Sequence, residues 1–256
     1  MKSLYKKIVA LVVVFSMASS TMVKAQDDDK SLKFNVSADL VSSYIWRGMY
    51  QTGVSIQPTF GLSIGGFSFT AWGSTDFDGN LSTVDENGIA RASKEIDLTA
   101  AYTFGNSGLT VSIADLWWPG QNSGKYFNFQ SHETDHHFEA GLAYTLPVEK
   151  FPLSIAWYTM FAGMDKKENG KQNYSSYMEL SFPFSVKMVN LTAICGIVPY
   201  KALQYNTNGF AVTNVALKGS TDIKITDSFS LPIFAQAIWN PRMEDAHLVF
   251  GFTLRP

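Results

Sequence analysis

The chain has 256 residues, of which 46% are hydrophobic and 16% are charged, with a single cysteine and a formal net charge of −2. A slightly acidic chain weighs against nucleic acid as a partner, because phosphate backbones attract basic surfaces. The lone Cys195 has no second cysteine to pair with, and it is more typical of a small packed hydrophobe than of a nucleophile.

The first 25 residues predict a cleaved secretory signal peptide. Three lysines precede an apolar run at 8–17, and Val23-Lys24-Ala25 is a suitable cleavage site. The run of about ten apolar residues is too short to span a bilayer. We therefore expect export across the inner membrane and removal of residues 1–25.

The rest of the chain predicts a flexible arm at 26–33 and one domain at 34–256. The arm is rich in aspartate and lysine, and no linker divides the residues that follow it. No later apolar run is long enough for a membrane helix. If this domain lies in a membrane, it crosses as strands.

A period of two in hydrophobicity begins at residue 34 and predicts β-strands. One phase of 54–64 holds Val54, Ile56, Pro58, Phe60, Leu62 and Ile64, and the other holds Ser55, Gln57, Thr59, Gly61 and Ser63. A sheet face in bulk water usually carries lysine and glutamate, whereas small uncharged residues suit a wet, narrow lumen. This contrast predicts a transmembrane β-barrel.

Twelve segments of this kind follow one another along the chain. The predicted strands are 34–46, 54–64, 67–76, 94–104, 109–117, 135–146, 151–162, 174–182, 188–198, 210–225, 229–239 and 247–254. Short connections follow the even-numbered strands, and mostly longer, more polar ones follow the odd-numbered strands. This asymmetry predicts one all-β, up-and-down antiparallel barrel with short periplasmic turns and longer extracellular loops. Closure of the barrel would leave no open sheet edge.

Aromatic residues cluster near the predicted strand ends, which favours two belts at the membrane interfaces. One belt is predicted from Phe34, Phe67, Phe104, Phe151, Phe182, Phe229 and Phe252. The other is predicted from Tyr44, Trp46, Phe77, Trp117, Phe161, Tyr174, Tyr200 and Trp239.

A motif at the end of the first predicted strand resembles a known family. Ser42-Ser43-Tyr44-Ile45-Trp46-Arg47-Gly48 follows an S-x-Y-x-x-R-G pattern that is similar to the signature of the TorF family of outer-membrane porins. Ala71-Trp72-Gly73-Ser74 fits the same family, and the likeness is strongest over 34–77. The resemblance implies an outer-membrane β-barrel of porin type, and it brings no assigned substrate and so no site residues.

The C-terminal sequence departs from the usual barrel pattern, which ends on an aromatic residue. This chain ends Leu254-Arg255-Pro256. We expect the barrel-assembly machinery to recognise Phe250 and Phe252 instead.

The polar phase places nine charged residues toward the predicted lumen. They are Asp39, Arg47, Glu95, Asp97, Glu139, Glu179, Lys218, Asp222 and Lys224. Because charges inside a narrow pore select ions, this excess of acid predicts a weak preference for cations. The alternative is that these residues pair and plug the lumen, and Arg47 with Asp39 is the pair that we predict first.

Two further groups of residues are candidate sites. Inward Trp72, Tyr158, Tyr177 and Phe234 favour a constriction of the lumen. His132 and His137 are weak candidates for a metal, because neighbours His136 and His137 point to opposite faces of a strand. We therefore expect no metal and no cofactor.

The sequence predicts an outer-membrane porin for passive diffusion of small hydrophilic solutes, in contact with membrane lipid. A closed structural or adhesive barrel that acts through its extracellular loops is the alternative. A barrel hydrolase is less favoured, since His137 and Glu139 share the lumen phase but no serine lies in a recognisable nucleophile motif. We therefore expect a protein that is not an enzyme.

Overall fold

The computed structural model describes residues 31–77, 93–119 and 124–256. The predicted signal peptide, most of the 26–33 arm, the 78–91 loop and part of the 119–134 loop lie outside these residues. Within them, no helix is long and apolar enough to cross a membrane.

Fourteen β-strands and one 3₁₀ turn, Leu203–Tyr205, lie in the described part of the chain. The strands are β1 Lys33–Val41, β2 Tyr44–Trp46, β3 Met49–Thr52, β4 Ser55–Ile64, β5 Phe67–Asp76, β6 Lys94–Thr103, β7 Leu109–Trp117, β8 His136–Thr145, β9 Ser154–Gly163, β10 Ser176–Val186, β11 Val189–Val198, β12 Ala211–Lys224, β13 Ser230–Asn240 and β14 Asp245–Leu254.

Twelve of these described strands, all except β2 and β3, form one closed antiparallel barrel in which neighbours in sequence are neighbours in space. The barrel closes between its first and last strands, where Ala38 lies opposite Leu254 and Val41 lies opposite Gly251. Closure pairs the edge that each terminal strand would otherwise expose. The prediction of an up-and-down barrel with twelve strands is confirmed.

The two faces of the sheet are reversed relative to a water-soluble protein. Ser55 and Ser63 of β4 are 0% and 3% exposed, whereas Phe60 and Ile64 on the same strand are 42% and 43% exposed. The polar phase therefore fills the inside of the barrel and the apolar phase covers its outside. The same alternation of burial is clear in β6 and β9.

The connections sort by length onto the two ends of the barrel. The end called here the short-turn end carries 65–66, 104–108, 146–153, 187–188 and 225–229. The opposite, long-loop end carries 42–54, 77–93, 118–135, 164–175, 199–210 and the brief 241–244. The predicted alternation of short and mostly longer connections is thus confirmed.

The first predicted strand, 34–46, is wrong in its second half. The barrel strand β1 ends at Val41, and β2 and β3 pair with each other as a separate two-stranded sheet. Residues 47–52, predicted as a loop, supply its turn and its second strand. The chain leaves the barrel wall at Ser42 and rejoins it at Ser55.

The predicted end of the eighth strand at residue 182 is also wrong, because β10 runs on through Pro183 to Val186. The pairing of β10 with β9 ends at Ser181, while its pairing with β11 continues through Pro183 opposite Thr192. Beyond Ser181 the strand is an edge on one side, which is where a sheet tolerates proline.

The belt of aromatic residues is partly as predicted. Phe34, Phe67 and other rings at the short-turn end are exposed on the outer surface. Tyr44 and Trp46, predicted for the opposite belt, are 5% and 1% exposed and lie inside the barrel. They are carried inward by the β2–β3 sheet.

Candidate functional site

The first long connection folds into the lumen as a β-hairpin, named here the lumen hairpin and comprising residues 44–52. Its turn is Arg47-Gly48, flanked by the pair Trp46 and Met49. Both turn residues have positive φ, 50° and 85°, as the tight two-residue turns of hairpins require. A Cβ on Gly48 would lie 1.9 Å from the carbonyl oxygen of Thr213, so only glycine fits. The hairpin tip is therefore pressed against the inner wall.

Arg47, at the tip of the lumen hairpin, forms a bidentate ion pair with Glu139 of β8. Nη1 and Nη2 each donate to one carboxylate oxygen over 2.7 Å. The two side chains are 4% and 6% exposed. Nη1 also donates to the hydroxyl oxygen of Tyr205. Two parallel charge-assisted bonds fix both the position and the orientation of the guanidinium group.

Aromatic rings surround the same guanidinium group. Its central carbon lies 4.8 Å from the ring centre of Trp46, 4.6 Å from Tyr158, 4.7 Å from Tyr177 and 5.9 Å from Tyr205. A cation over ring faces is attracted by their negative π-surfaces, and the attraction is strongest where water is excluded. We name Glu139, Tyr158, Tyr177 and Tyr205 the Arg47 cage.

Tyr205 reaches the cage from the 3₁₀ turn of the 199–210 loop. Its ring stacks on Trp46 at 5.4 Å and on Tyr177 at 5.6 Å. Burial raises the pKa of its hydroxyl, while the charge of Arg47 opposes that effect. The phenol therefore stays neutral and accepts a hydrogen bond from the guanidinium group. A second long loop thus closes over the tip of the lumen hairpin.

The predicted pair of Arg47 with Asp39 is wrong. Asp39 lies inside the barrel on β1 and accepts a hydrogen bond from Thr253 over 2.6 Å. Arg47 is no longer on that strand, because the chain has turned into the lumen hairpin. Lys218, also facing inward, lies 4.5 Å from the ring centre of Phe234.

Glu95 and Asp97 lie side by side on β6 and are each 4% exposed. Trp72 is the cross-strand neighbour of Asp97, and Tyr44 of the lumen hairpin packs on Trp72 at 5.4 Å. In the described part of the chain, no lysine or arginine forms an ion pair with either carboxyl group. Glu179 accepts a hydrogen bond from Tyr177 over 2.8 Å.

Asp222 and Lys224 do not line the lumen, contrary to the prediction. β12 extends past the short-turn end, and its last residues are exposed at the rim. There Asp222 lies 3.6 Å from Arg255, and Lys224 lies 2.7 Å from Asp227. Asp222 and Lys224 do continue the alternation of the inward-facing residues of β12, but they lie beyond the end of the barrel.

The four aromatic residues predicted to constrict the lumen are all buried inside it. Trp72, Tyr158 and Tyr177 belong to one packed cluster together with Tyr44, Trp46 and Tyr205 of the loops. Phe234 belongs to a second, aliphatic cluster with Val41, Ile194, Ala216, Ile238 and Val249. Their effect on solute passage stays a prediction.

The two weak metal candidates lie in different surroundings. His132 is exposed on the 118–135 connection, whereas His137 is buried in the lumen against Trp118 at 4.5 Å. Among the described residues, no group of three histidine, cysteine or acidic side chains is arranged to hold a metal ion. Both oxygens of Glu139 are engaged by Arg47, so Glu139 does not orient His137 as the hydrolase alternative would need.

Sequence reasoning missed the lumen hairpin and the roles of Trp46, Trp118 and Tyr205. A signal for the hairpin was present, because alternating residues flank the glycine-containing turn of Trp46-Arg47-Gly48-Met49. Nothing in the sequence around Tyr205 indicates that its ring meets Arg47.

A family model for bacterial proteins of unknown function, Gcw_chp, matches residues 25–225. The chain belongs to this family. The matched residues include the lumen hairpin and every member of the Arg47 cage, so the site lies within the region that defines Gcw_chp. No curated protein gives a match.

Among solved structures, a complex of Salmonella typhi OmpF with daunomycin is similar over 90% of this chain and 98% of that chain. The sequence identity is 9% and the TM-score is 0.35. Nothing about function follows from a likeness at this level.

Proposed function

We propose that this protein is an outer-membrane channel for small hydrophilic solutes, with a preference for cations and with a lumen narrowed by the lumen hairpin. The observation that carries the proposal is the Arg47 contact. The hairpin is an internal constriction held at its tip by side-chain contacts, and it forms a sheet separate from the barrel wall. The resemblance to the TorF family of porins supports the same function.

The outer surface supports a location in the membrane. Exposed Val111, Ile113, Leu142, Leu217 and Leu248 lie on the outside of four different barrel strands. Exposed apolar surface of this extent is unfavourable in water and favourable against lipid chains. A cleaved signal peptide at 1–25 would deliver the chain across the inner membrane, after which barrel-assembly machinery would insert it.

The balance of buried charge supports a preference for cations. The buried acidic side chains on the described barrel strands include Asp39, Glu95, Asp97, Glu139 and Glu179. Among the described residues, the basic side chains found inside the barrel beside them are those of Arg47 and Lys218. Arg47 is matched by Glu139, and Lys218 alone does not balance the other four carboxyl groups. Fixed negative charge along a narrow path lowers the energy of a passing cation.

A closed barrel that acts through its loops is the second candidate. The observation in its favour is that two packed clusters of side chains lie in the lumen. In addition, the 164–175 and 199–210 loops form an open cleft of about 580 Å³. Lys167, Asn173, Tyr200, Lys201 and Leu203 are among its lining residues. Such a cleft on the long-loop end would serve a surface contact rather than transport.

Single-channel recording in a planar bilayer, with a salt gradient across it, tests the two candidates. We expect the refolded protein to give discrete steps and a reversal potential that favours cations. Arg47→Ala should give larger or more frequent steps, because the tip of the hairpin is released. Lys224→Ala, at the rim, is the matched control and should leave the steps unchanged. Folded, heat-modifiable wild type and Arg47→Ala that both give no steps would support the closed barrel instead.

A further inference from the structure

We propose that the Arg47 cage is a binding site for the guanidinium group of a solute, and that Arg47 occupies this site whenever the lumen hairpin lies in the barrel. The passage of that solute rests on the proposed channel function, whereas its binding does not. The cage contains every kind of group that is needed to bind a guanidinium ion. A bidentate carboxylate, a phenolic acceptor and ring faces are the groups that proteins use to hold a guanidinium ligand.

The cage belongs to the barrel wall and loops rather than to the hairpin. Glu139, Tyr158 and Tyr177 stand on three consecutive strands, β8, β9 and β10, whose pairing does not involve the hairpin. Tyr177 is held independently, since its hydroxyl donates to Glu179 over 2.8 Å and accepts from Asn214 over 3.2 Å. The cage should therefore keep its shape when Arg47 is absent.

Without Arg47, the cage would hold an unpaired carboxylate, which favours the binding of a cation from solution. Glu139 is 5% exposed, and without Arg47 its carboxylate would be left unpaired away from bulk water. A buried charge without a partner is strongly unfavourable. A guanidinium ion from solution restores both carboxylate bonds and the ring contacts. An alkylammonium ion cannot make the two parallel bonds, so the site should prefer guanidinium.

The lumen hairpin is arranged to leave the cage as a unit. β2 and β3 bond to each other and not to the barrel sheet. The flanking residues are anchored to the wall, where the Ser42 amide donates to Phe250 and the Phe77 amide donates to Val54. Near the tip, buried Asn240 donates to the Gly48 carbonyl over 3.0 Å. This bond, the Arg47 pair and the packing of Trp46 on Trp118 and Tyr205 together decide whether the tip is docked.

A tethered side chain competes with any free solute. A group on a short linker has an effective concentration on the order of millimolar or higher, so the wild-type site is mostly filled by its own arginine. Removing Arg47 should expose the full affinity of the cage. Loosening the hairpin without touching the cage should give an intermediate affinity.

The test is binding of methylguanidinium to the folded barrel in detergent micelles, measured as a rise in unfolding temperature. We expect saturable stabilisation of Arg47→Ala at millimolar concentrations, with a half-saturating concentration at least tenfold lower than that of wild type. Lys218→Ala is the matched control, because it also removes an inward cation that lies over a ring but leaves the cage occupied. Methylammonium should stabilise Arg47→Ala less than methylguanidinium does.

Two outcomes would overturn the inference. One is a response of Arg47→Ala that does not exceed that of Lys218→Ala. The other is an equal response of Arg47→Ala/Glu139→Gln, which lacks the carboxylate. If Arg47→Ala does not fold, Asn240→Ala decides the matter, since it keeps the cage and Arg47 and removes the bond to Gly48, together with the bond that Asn240 accepts from the Met243 amide. It should bind methylguanidinium several-fold more tightly than wild type, and an unchanged affinity would refute the proposal.

Current recordings separate this inference from the channel function. Methylguanidinium should block the steps of Arg47→Ala at the concentrations that stabilise it. Stabilisation without any steps would support the site and contradict the channel. Steps without saturable stabilisation would support the channel and contradict the site.

Discussion

The ion pair between Arg47 and Glu139 should be among the strongest couplings in the barrel, and a double-mutant cycle measures it. The perturbations are Arg47→Ala, Glu139→Ala and both together. With side chains 4% and 6% exposed and two bonds of 2.7 Å, the pair belongs to the buried class rather than the surface class. Surface pairs contribute only about 0–1 kcal/mol.

The size of the coupling free energy follows from the charges that remain in the cage of each variant. Removing one partner of a buried pair leaves the other charge uncompensated and costs roughly 3–5 kcal/mol. The double variant leaves no charge in the cage, and it loses mainly the ring contacts of Arg47, worth about 2 kcal/mol where water is excluded. The two single losses should therefore exceed the double loss by several kcal/mol.

The assay is reversible urea unfolding of the barrel refolded in lipid vesicles, followed by tryptophan fluorescence. Urea is the suitable denaturant because guanidinium would itself enter the cage. The control cycle is Lys224→Ala with Asp227→Ala, an exposed pair on the rim that should show no measurable coupling. Additive losses for Arg47 and Glu139 would refute the reasoning, since they would mean that the two charges are stabilised by water and not by each other.

Two further variants test the hairpin and the lumen charge. Gly48→Ala should undock the hairpin and enlarge the current steps, because its positive φ alone costs an alanine roughly 1–3 kcal/mol and its Cβ would lie 1.9 Å from a backbone oxygen. Gly65→Ala, at a positive-φ turn with open space around it, should leave the current unchanged. The double variant Glu95→Gln/Asp97→Asn should shift the reversal potential in a salt gradient toward zero, because the preference for cations is reduced. Asp222→Asn, at the rim, should leave the reversal potential unchanged. An unchanged potential in the double variant would mean that the two carboxyl groups carry no charge in the lumen.

Most of the barrel was predictable from the sequence because its signals are local. The alternation of Ser55, Gln57 and Thr59 with Ile56 and Phe60 reports two different environments on the two faces of one strand. Connection lengths report which strand ends lie together. Neither signal requires knowledge of a distant residue, and both were confirmed by the closed barrel.

The errors in the prediction share a physical cause. Tyr44 and Trp46 continue the alternation of β1, so the pattern alone extends the strand through them. The chain leaves the wall at Ser42 because the following hairpin buries its own rings in the lumen. In the same way, Asp222 keeps the inward phase of β12 although the barrel has already ended. The position of a residue in the alternating pattern indicates which face of the strand its side chain takes, but not what that side chain contacts.

The sequence by itself determined that twelve strands would close with polar residues inside, and it named Arg47 and Glu139 as inward charges. Only the tertiary structure decided that these two meet, because they are separated by 92 residues, and Arg47 and Tyr205 by 158. An alternating pattern specifies which face a side chain takes. Barrel closure and the folding of the long loops decide which inward side chains contact each other. Both are set by packing between segments that are distant in sequence.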